Sequence, residues 1–474
     1  MDQSQALPKK SKRDLMSKRG VTADESYRAD MSEDEKNPQK ALQHALKLAV
    51  ADSKSTIPTL PRTRERSITK RAVLWLGQTC NLRCYFCYFL DRIEIKSHPE
   101  HPFMSLDKAK EICRTLREHY GNDSIDIQGG EPTIWPDILK LVSYCHEIGL
   151  EPTLITNALV LEDRDRCKQY IDAGINDFLV SVHGIGEVHD RVVQMPGAHV
   201  KQMNALKNMR ELGIPFRFNC VMSKPVVNQL PQISELAVAT GARVVNFLAF
   251  NPFEDQAKGG RRSGSNVPMY SELRPKLNEA LDILDDNGVE ANVRYLPICM
   301  ANPRHRKSMY NFQQLSYDHH EWDYASWSWT GMQQQRMKSG DVTNPATLTS
   351  QSLIWKLRKP ISMIMRIPIL GRGLHALHNQ YARFVDKHSD QEALYRSNAK
   401  VRSELHCGYR YGDECQKCSV KEICDGFHGD YADLFGTDEA EAIVLPQQVK
   451  DPKYYISQQD KDIEPFEELE RKQA

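Results

Sequence analysis

The chain has 474 residues, with Lys+Arg and Asp+Glu both at 63 and a formal net charge of zero. That balance gives no global pull toward nucleic acid. No apolar run approaches a membrane span or a signal-peptide core, so the expectation is a soluble, cytoplasmic protein. In that reducing compartment the 12 cysteines read as thiols or metal ligands rather than disulfides.

Residues 1–66 are polar and charged around one short helical pattern, "ALQHALKLAVA", and read as a mobile N-terminal arm. From 67 to 297 a rhythm takes over. The apolar runs "RAVLWL", "SIDIQ", "PTLIT", "DFLVSV", "FRFNCVM" and "RVVNFLAF" alternate with amphipathic segments of helical period, several of them stopped by glycine. Repeated strand–helix units joined by right-handed crossovers predict an α/β fold, a partial (β/α)6 TIM-type barrel. An open doubly wound sheet fits the same rhythm. Residues 298–400 break it. They read as a helical or irregular insertion with the tryptophan-rich "EWDYASWSWTGM" and a basic amphipathic stretch from Ser352 to Phe384, interrupted by Pro360 and Pro368. Residues 401–445 hold a late cysteine group, a smaller cysteine-rich domain, and 446–474 read as a charged, disordered tail.

The first strand runs into "TCNLRCYFCYF" (79–89), which places Cys80, Cys84 and Cys87 close together. A structural zinc site is closed by four protein ligands, whereas three thiols leave a position open. Closely spaced thiolates bind zinc or iron–sulfur clusters. The trio also lies past the C-terminal end of a strand, where barrel active sites are built. Together with "GGEPT" (129–133) after the second strand, this spacing resembles the radical S-adenosylmethionine (SAM) enzymes over roughly residues 70–297.

The resemblance implies that Cys80, Cys84 and Cys87 are the catalytic, metal-binding residues, holding a [4Fe–4S] cluster whose free iron is chelated by SAM. It implies that Phe86 packs near adenine and that Gly129, Gly130 and Glu131 meet the methionine amino group, with Asn157 and Ser181 as further polar contacts. The implied activity is that of an oxidoreductase or modifying enzyme. An external flavodoxin- or ferredoxin-like donor supplies an electron, SAM is cleaved to methionine and a 5′-deoxyadenosyl radical, and the radical takes a hydrogen from an unidentified substrate.

The late group, Cys407-x7-Cys415-x2-Cys418-x5-Cys424, resembles the auxiliary-cluster domain called SPASM, with His428 where the full form continues with cysteine. The cysteines suffice for one auxiliary [4Fe–4S] cluster, with Cys415, Cys418 and Cys424 as ligands and Cys407, Cys299 or His428 as the fourth. A structural zinc site from the same thiols is the alternative. Cys113, Cys145, Cys167 and Cys220 read as packing residues, and "DHHE" (318–321) as surface.

His183, Glu187, His189, Asp190 and Arg191 fall in one loop after the fourth strand, placed either to touch substrate or to seal the barrel. The 352–384 stretch reads as a packed insertion, a membrane-surface element or a partner-binding helix. Three functions follow: radical chemistry on a peptide or small molecule, the same chemistry on a lipid-linked or glycan-type substrate at a membrane, or a non-catalytic iron–sulfur or zinc scaffold that binds a partner.

Overall fold

The computed structural model describes residues 33–50, 54–65, 71–87, 101–118, 121–250, 264, 266–314, 318–322, 408–465 and 467, with scattered positions between 357 and 388. Helix α1 (Pro38–Ala49) and the short strand β1 (Arg62–Thr63) come first. The main sheet follows, with β2 (Arg71–Trp75), β3 (Ser124–Gln128), β4 (Glu151–Thr156), β5 (Asp177–Ser181), β6 (Phe216–Met222), β7 (Val244–Ala249) and β8 (Glu290–Arg294) laid side by side in chain order. Short β9 (Met309–Tyr310) extends the β8 edge, and β10 (Asp318–Trp322) pairs with β2. All pairings in this nine-stranded sheet are parallel. The partial barrel is therefore as expected but wider than (β/α)6, and "DHHE" lies in its edge strand β10.

The crossovers carry α2 (Leu106–Glu118), α3 (Ile138–Glu147), α4 (Arg164–Asp172), α5 (Glu187–Val193), α6 (Ala198–Leu212), α7 (Leu230–Thr240) and α8 (Tyr270–Asp286). Their apolar faces cover one side of the sheet. Along β6, Phe216, Phe218, Cys220 and Met222 are buried beneath helices while Arg217, Asn219 and Val221 alternate with them at half exposure. The second set faces the hollow of the curl. Arg217 on β6 reaches within 3.6 Å of Asp126 on β3, although β4 and β5 lie between. Only the concave face of a curled sheet permits that contact.

A buried ionic layer closes the strand-start end of the hollow. Arg71 Nη1 meets Asp126 Oδ1 at 2.9 Å and Arg217 Nε meets Asp177 Oδ2 at 2.6 Å. Burial pushes the Asp177 carboxyl up, but Arg217 and Arg71 outweigh it and hold the group below its usual range.

Two terminal expectations need correction. Helix α1 is not a loose arm: Ala41, Leu42, Ala45 and Ala49 form one stripe buried against α6 and α7. Arg210 of α6 donates to the carbonyls of Ala49 and Val50, 3.1 Å each, where helix carbonyls lack partners. Nor is 446–474 simply a charged tail. Val449, Tyr455, Ile456 and Ile463 are buried, and β11 (Lys461–Asp462) pairs antiparallel with β1. Arg243 Nη1 stands 3.5 Å from Glu464 Oε2, beside the ionic layer. Sparse apolar residues among many charges hide such docking from composition alone.

Among the described residues no helix is long and apolar enough to cross a membrane. Most of 352–384 lies outside the described residues, as do 1–32, Cys407 and "EWDYASWSWTGM" beyond Trp322. Of the positions described there, Leu357, Met363, Leu377 and Phe384 are exposed.

Candidate active site

Strand β2 is buried along its length and delivers the chain to Leu76–Gly77–Gln78–Thr79–Cys80 at its C-terminal end. The "GGE" segment lies directly on this path. Gly130 N donates to Gly77 O at 2.7 Å, and Glu131 N to Thr79 O at 2.8 Å. A Cβ on Gly130 would lie 1.9 Å from the Thr79 carbonyl oxygen, and one on Gly129 2.8 Å from the Gly77 oxygen. Glycine is thus required here for backbone to meet backbone. The segment braces the cysteine loop, which the expectation of contact with a ligand had not included.

Glu131 is buried and fully engaged. Its Oε1 accepts from Thr133 N (3.0 Å), Thr133 Oγ1 (2.6 Å) and Thr156 Oγ1 (2.6 Å), and its Oε2 from Asn157 N (2.8 Å). Burial raises its pKa against the opposing pull of these donors. The carboxylate ties the end of β3 to the end of β4. Asn157 is similarly committed: its Nδ2 donates to Asn81 Oδ1 (2.8 Å) and its Oδ1 accepts from Leu159 N (3.1 Å). A residue the sequence reading passed over joins the next strand. Gln202 Nε2 of α6 donates to both Asn157 O (3.1 Å) and Ser181 O (2.9 Å).

The cysteine loop is pinned from its other side. Arg83 N and Tyr85 N donate to Val193 O and Val192 O at the end of α5, and Arg83 Nη1 donates to the carbonyls of Cys80 and Leu82. Burial pushes the Cys80 thiol up to about 12, with Glu131 adding to the effect. Burial also raises Cys84 well above the ordinary thiol value, followed by the nearby Cys87 and Cys80. Such thiols are poor ligands as they stand, and bound cationic metal reverses that by favouring thiolates. An all-thiol donor set of this kind suits iron–sulfur chemistry.

Phe86 stands edge-on to His183, with ring centroids 4.7 Å apart, and to Phe250 at 6.2 Å. The five polar residues expected in one loop divide. His183 and His189 are buried, with His183 Nδ1 accepting from Val221 N and His189 Nδ1 from His183 N, both at 3.2 Å. Those bonds fix the proton of each neutral ring on Nε2. Asp190 instead caps the next turn through Gly197 N and His199 N, while Glu187 is exposed on α5 and Arg191 half-buried.

A second thiol set forms where β8 ends. Cys299 sits in the turn Ile298–Met300, Cys415 in the turn Asp413–Lys417 with Cys418 at its end, and Cys424 at the end of the next turn, Lys421–Ile423. Burial pushes Cys299 up to about 11, and Cys415 and Cys418 are close enough to add to it. Burial and then Cys299 raise Cys424. The structure thus brings Cys299 to the other three across more than a hundred residues. His428 Nδ1 accepts from Asp430 N at 3.3 Å and caps α9 (Gly429–Phe435). The lone Cys113 and Cys145 are buried, their sulfurs 3.6 Å apart, and Cys167 and Cys220 are buried in the core. Among the described residues no three His, Cys, Asp or Glu side chains converge on one metal ion.

Residues 76–229 match the Radical SAM superfamily. The chain is 31% identical over 167 residues to the PqqA peptide cyclase of Bradyrhizobium diazoefficiens, covering 35% of this chain and 42% of that protein. It is 30% identical over 169 residues to the Fe-coproporphyrin III synthase of Methanosarcina barkeri, covering 35% and 41%. The matches therefore span less than half the length of either relative. Among solved structures, Streptococcus suis SuiB is similar over 48% of this chain and 49% of its own, at 20% identity and TM-score 0.37. The structure of anSMEcpe with bound AdoMet and Cp18Cys peptide is similar over 82% and 93%, at 15% identity and TM-score 0.42.

Proposed function

We propose, from the premise that residues 76–229 are a radical SAM domain, that this chain reductively cleaves SAM and abstracts a hydrogen from a peptide or small-molecule substrate. The observation that carries this reading is the braced loop of Cys80, Cys84 and Cys87 at the end of β2, three half-buried thiols within reach of one another's charge. When bound, the cluster and SAM supply a 5′-deoxyadenosyl radical that takes the substrate hydrogen. The chain's own part is positioning. Gly129 and Gly130 hold the loop, and Glu131 holds the turn after β3 against β4. Phe86, His183 and Phe250 form an aromatic wall beside the third thiol. Cys299, Cys415, Cys418 and Cys424 would hold one auxiliary cluster, which would supply an electron acceptor for the product radical or a fixed point for orienting substrate.

Anaerobic reconstitution followed by mass spectrometry for 5′-deoxyadenosine tests the reading. Wild type should form it with a low-potential electron donor, and the Cys80→Ala/Cys84→Ala/Cys87→Ala variant should not. Undiminished cleavage in the triple variant would refute radical chemistry at this loop. Iron without cleavage in wild type would leave a non-catalytic scaffold.

A second substrate class is favoured by one observation: Leu357, Met363, Leu377 and Phe384 are exposed within a stretch rich in Lys and Arg. Such a stretch suits an anionic membrane or a lipid-linked substrate, at about 1 kcal/mol per basic residue near the surface. Sedimentation with anionic liposomes at low salt should then fall on charge reversal of Arg358, Lys359 and Arg366. Wild-type protein that stays in the supernatant would return the substrate to soluble molecules.

A further inference from the structure

The hollow of the barrel carries a feature that the SAM-side residues leave unexplained. Asn219 on β6, Asn246 on β7 and Asn292 on β8 occupy one register across three adjacent strands, continued by Ser181 on β5. They share the concave face. Asn219 is one pleat above Arg217, whose ion pair with Asp126 crosses the hollow, and Asn292 Nδ2 donates to Asn246 Oδ1 at 3.1 Å. Ser181, Asn219 and Asn246 are half-exposed while their strand neighbours Val180, Val182, Phe218, Cys220, Val245 and Phe247 are buried.

This level carries donors and acceptors but no charge. One pleat below lie Arg217, already paired with Asp177 and Asp126, and Glu290 on β8, which accepts from Asp462 N. One pleat above lie the apolar Val221 and Leu248 and, on β8, Arg294 over the Tyr295 ring. A charged ligand group set among the carboxamides would find no counter-ion at its own level, which disfavours it. A neutral hydrogen-bonding group would be matched. A carboxamide offers a donor and an acceptor side by side, and so does a peptide amide. Neighbouring strands lie about 4.8 Å apart, the spacing at which amide side chains bond in ladders. The Asn292–Asn246 bond is one rung of such a ladder.

We infer that the asparagine belt of β6–β8 is the substrate subsite and seats a neutral amide, a peptide bond or carboxamide of the substrate, as a further rung opposite the cysteine loop. This deepens the proposed function and rests on it. It assigns substrate contact to Asn219 and Asn246, with Asn292 orienting Asn246.

Saturation-transfer difference NMR on the reconstituted full chain provides the test, with N-acetylglycinamide, the amide-free ester methyl acetoxyacetate and methyl glucoside as probes, each with and without SAM. The amide should receive transfer more strongly than the ester or the glucoside, and should keep it when SAM is added. Asn219→Leu and Asn246→Leu, made separately because one of them could fail to fold, should each weaken amide binding roughly fivefold, as expected for one neutral hydrogen bond. The exposed Val200→Ala should change nothing. Equal transfer to ester and amide, stronger transfer to glucoside, or unchanged transfer in both asparagine variants would overturn the assignment. So would loss of amide transfer on adding SAM, since the belt would then belong to the cofactor. A wild-type protein that takes up the amide yet binds no SAM would instead overturn the proposed function and leave the subsite standing.

Discussion

At Gly130 the missing side chain is filled by the carbonyl of Thr79, the residue before the first cysteine. A methyl group there must move the loop itself. Gly130→Ala should therefore lower iron content and SAM affinity together, and iron per chain measured beside SAM titration checks this. Full iron with weakened SAM binding would mean that the glycine faces the ligand alone. Three neighbouring buried histidines, His183, His189 and His199, make a second residue-scale prediction. His183 and His189 are held down to about 3 by burial, and His199 well below the ordinary 6.5 by burial and by His189. Their neutral forms belong to the folded state, so proton uptake favours unfolding. The stability they contribute is full above about 6.5 and is lost as pH falls toward 3, at about 1.4 kcal/mol per histidine per pH unit. Thermal melts between pH 7 and 5 should show that slope, and His199→Gln should flatten it. A melting temperature independent of pH over that range would mean that these rings reach water.

Whole elements show why some features were legible and others were not. The cysteine trio could be read because thiol chemistry and local spacing both lie within one loop. The strands of the barrel could be read from apolar runs between amphipathic segments. The asparagine belt could not, because Asn246 and Asn292 are 46 residues apart and only sheet register aligns them. Cys299 stayed one of three choices for the same reason: a tertiary approach, not a spacing, brings it to Cys415 and Cys418. Helix α1 was seen as a helix but not as packed. Its small stripe of Ala41, Leu42, Ala45 and Ala49 suits close approach to α6 and α7, and short alanines give little periodic signal. Leu42 is the one large side chain in that stripe, and Leu42→Ala should cost about 2–5 kcal/mol. Denaturant unfolding measures it. A loss under about 1 kcal/mol, well below that range, would show that α1 leans on the barrel without supporting it.

For the whole molecule, the joint between barrel and cysteine-rich segment combines a thiol set with conventional packing. Tyr270 N donates to Tyr431 Oη at 2.8 Å beneath stacked rings 3.7 Å apart, and Phe312 N donates to Asp425 Oδ2 at 2.6 Å. If the thiols share a cluster, Cys299→Ala should lose about four irons per chain and make 408–445 susceptible to protease, since metal-held segments unfold without their metal. Retained iron in that variant would pass the fourth place to Cys407 or His428. The pairing of β1 with β11 has a different consequence. Arg62 meets Asp462 across 400 residues of chain, so a ribosome must pass residue 462 before the floor of the barrel can shut. Until then the polar layer around Arg71 and Asp177 stays wet. Contacts so distant in sequence form slowly. The nascent chain thus has a late, defined moment of closure, with the thiol loop of β2 made long before it.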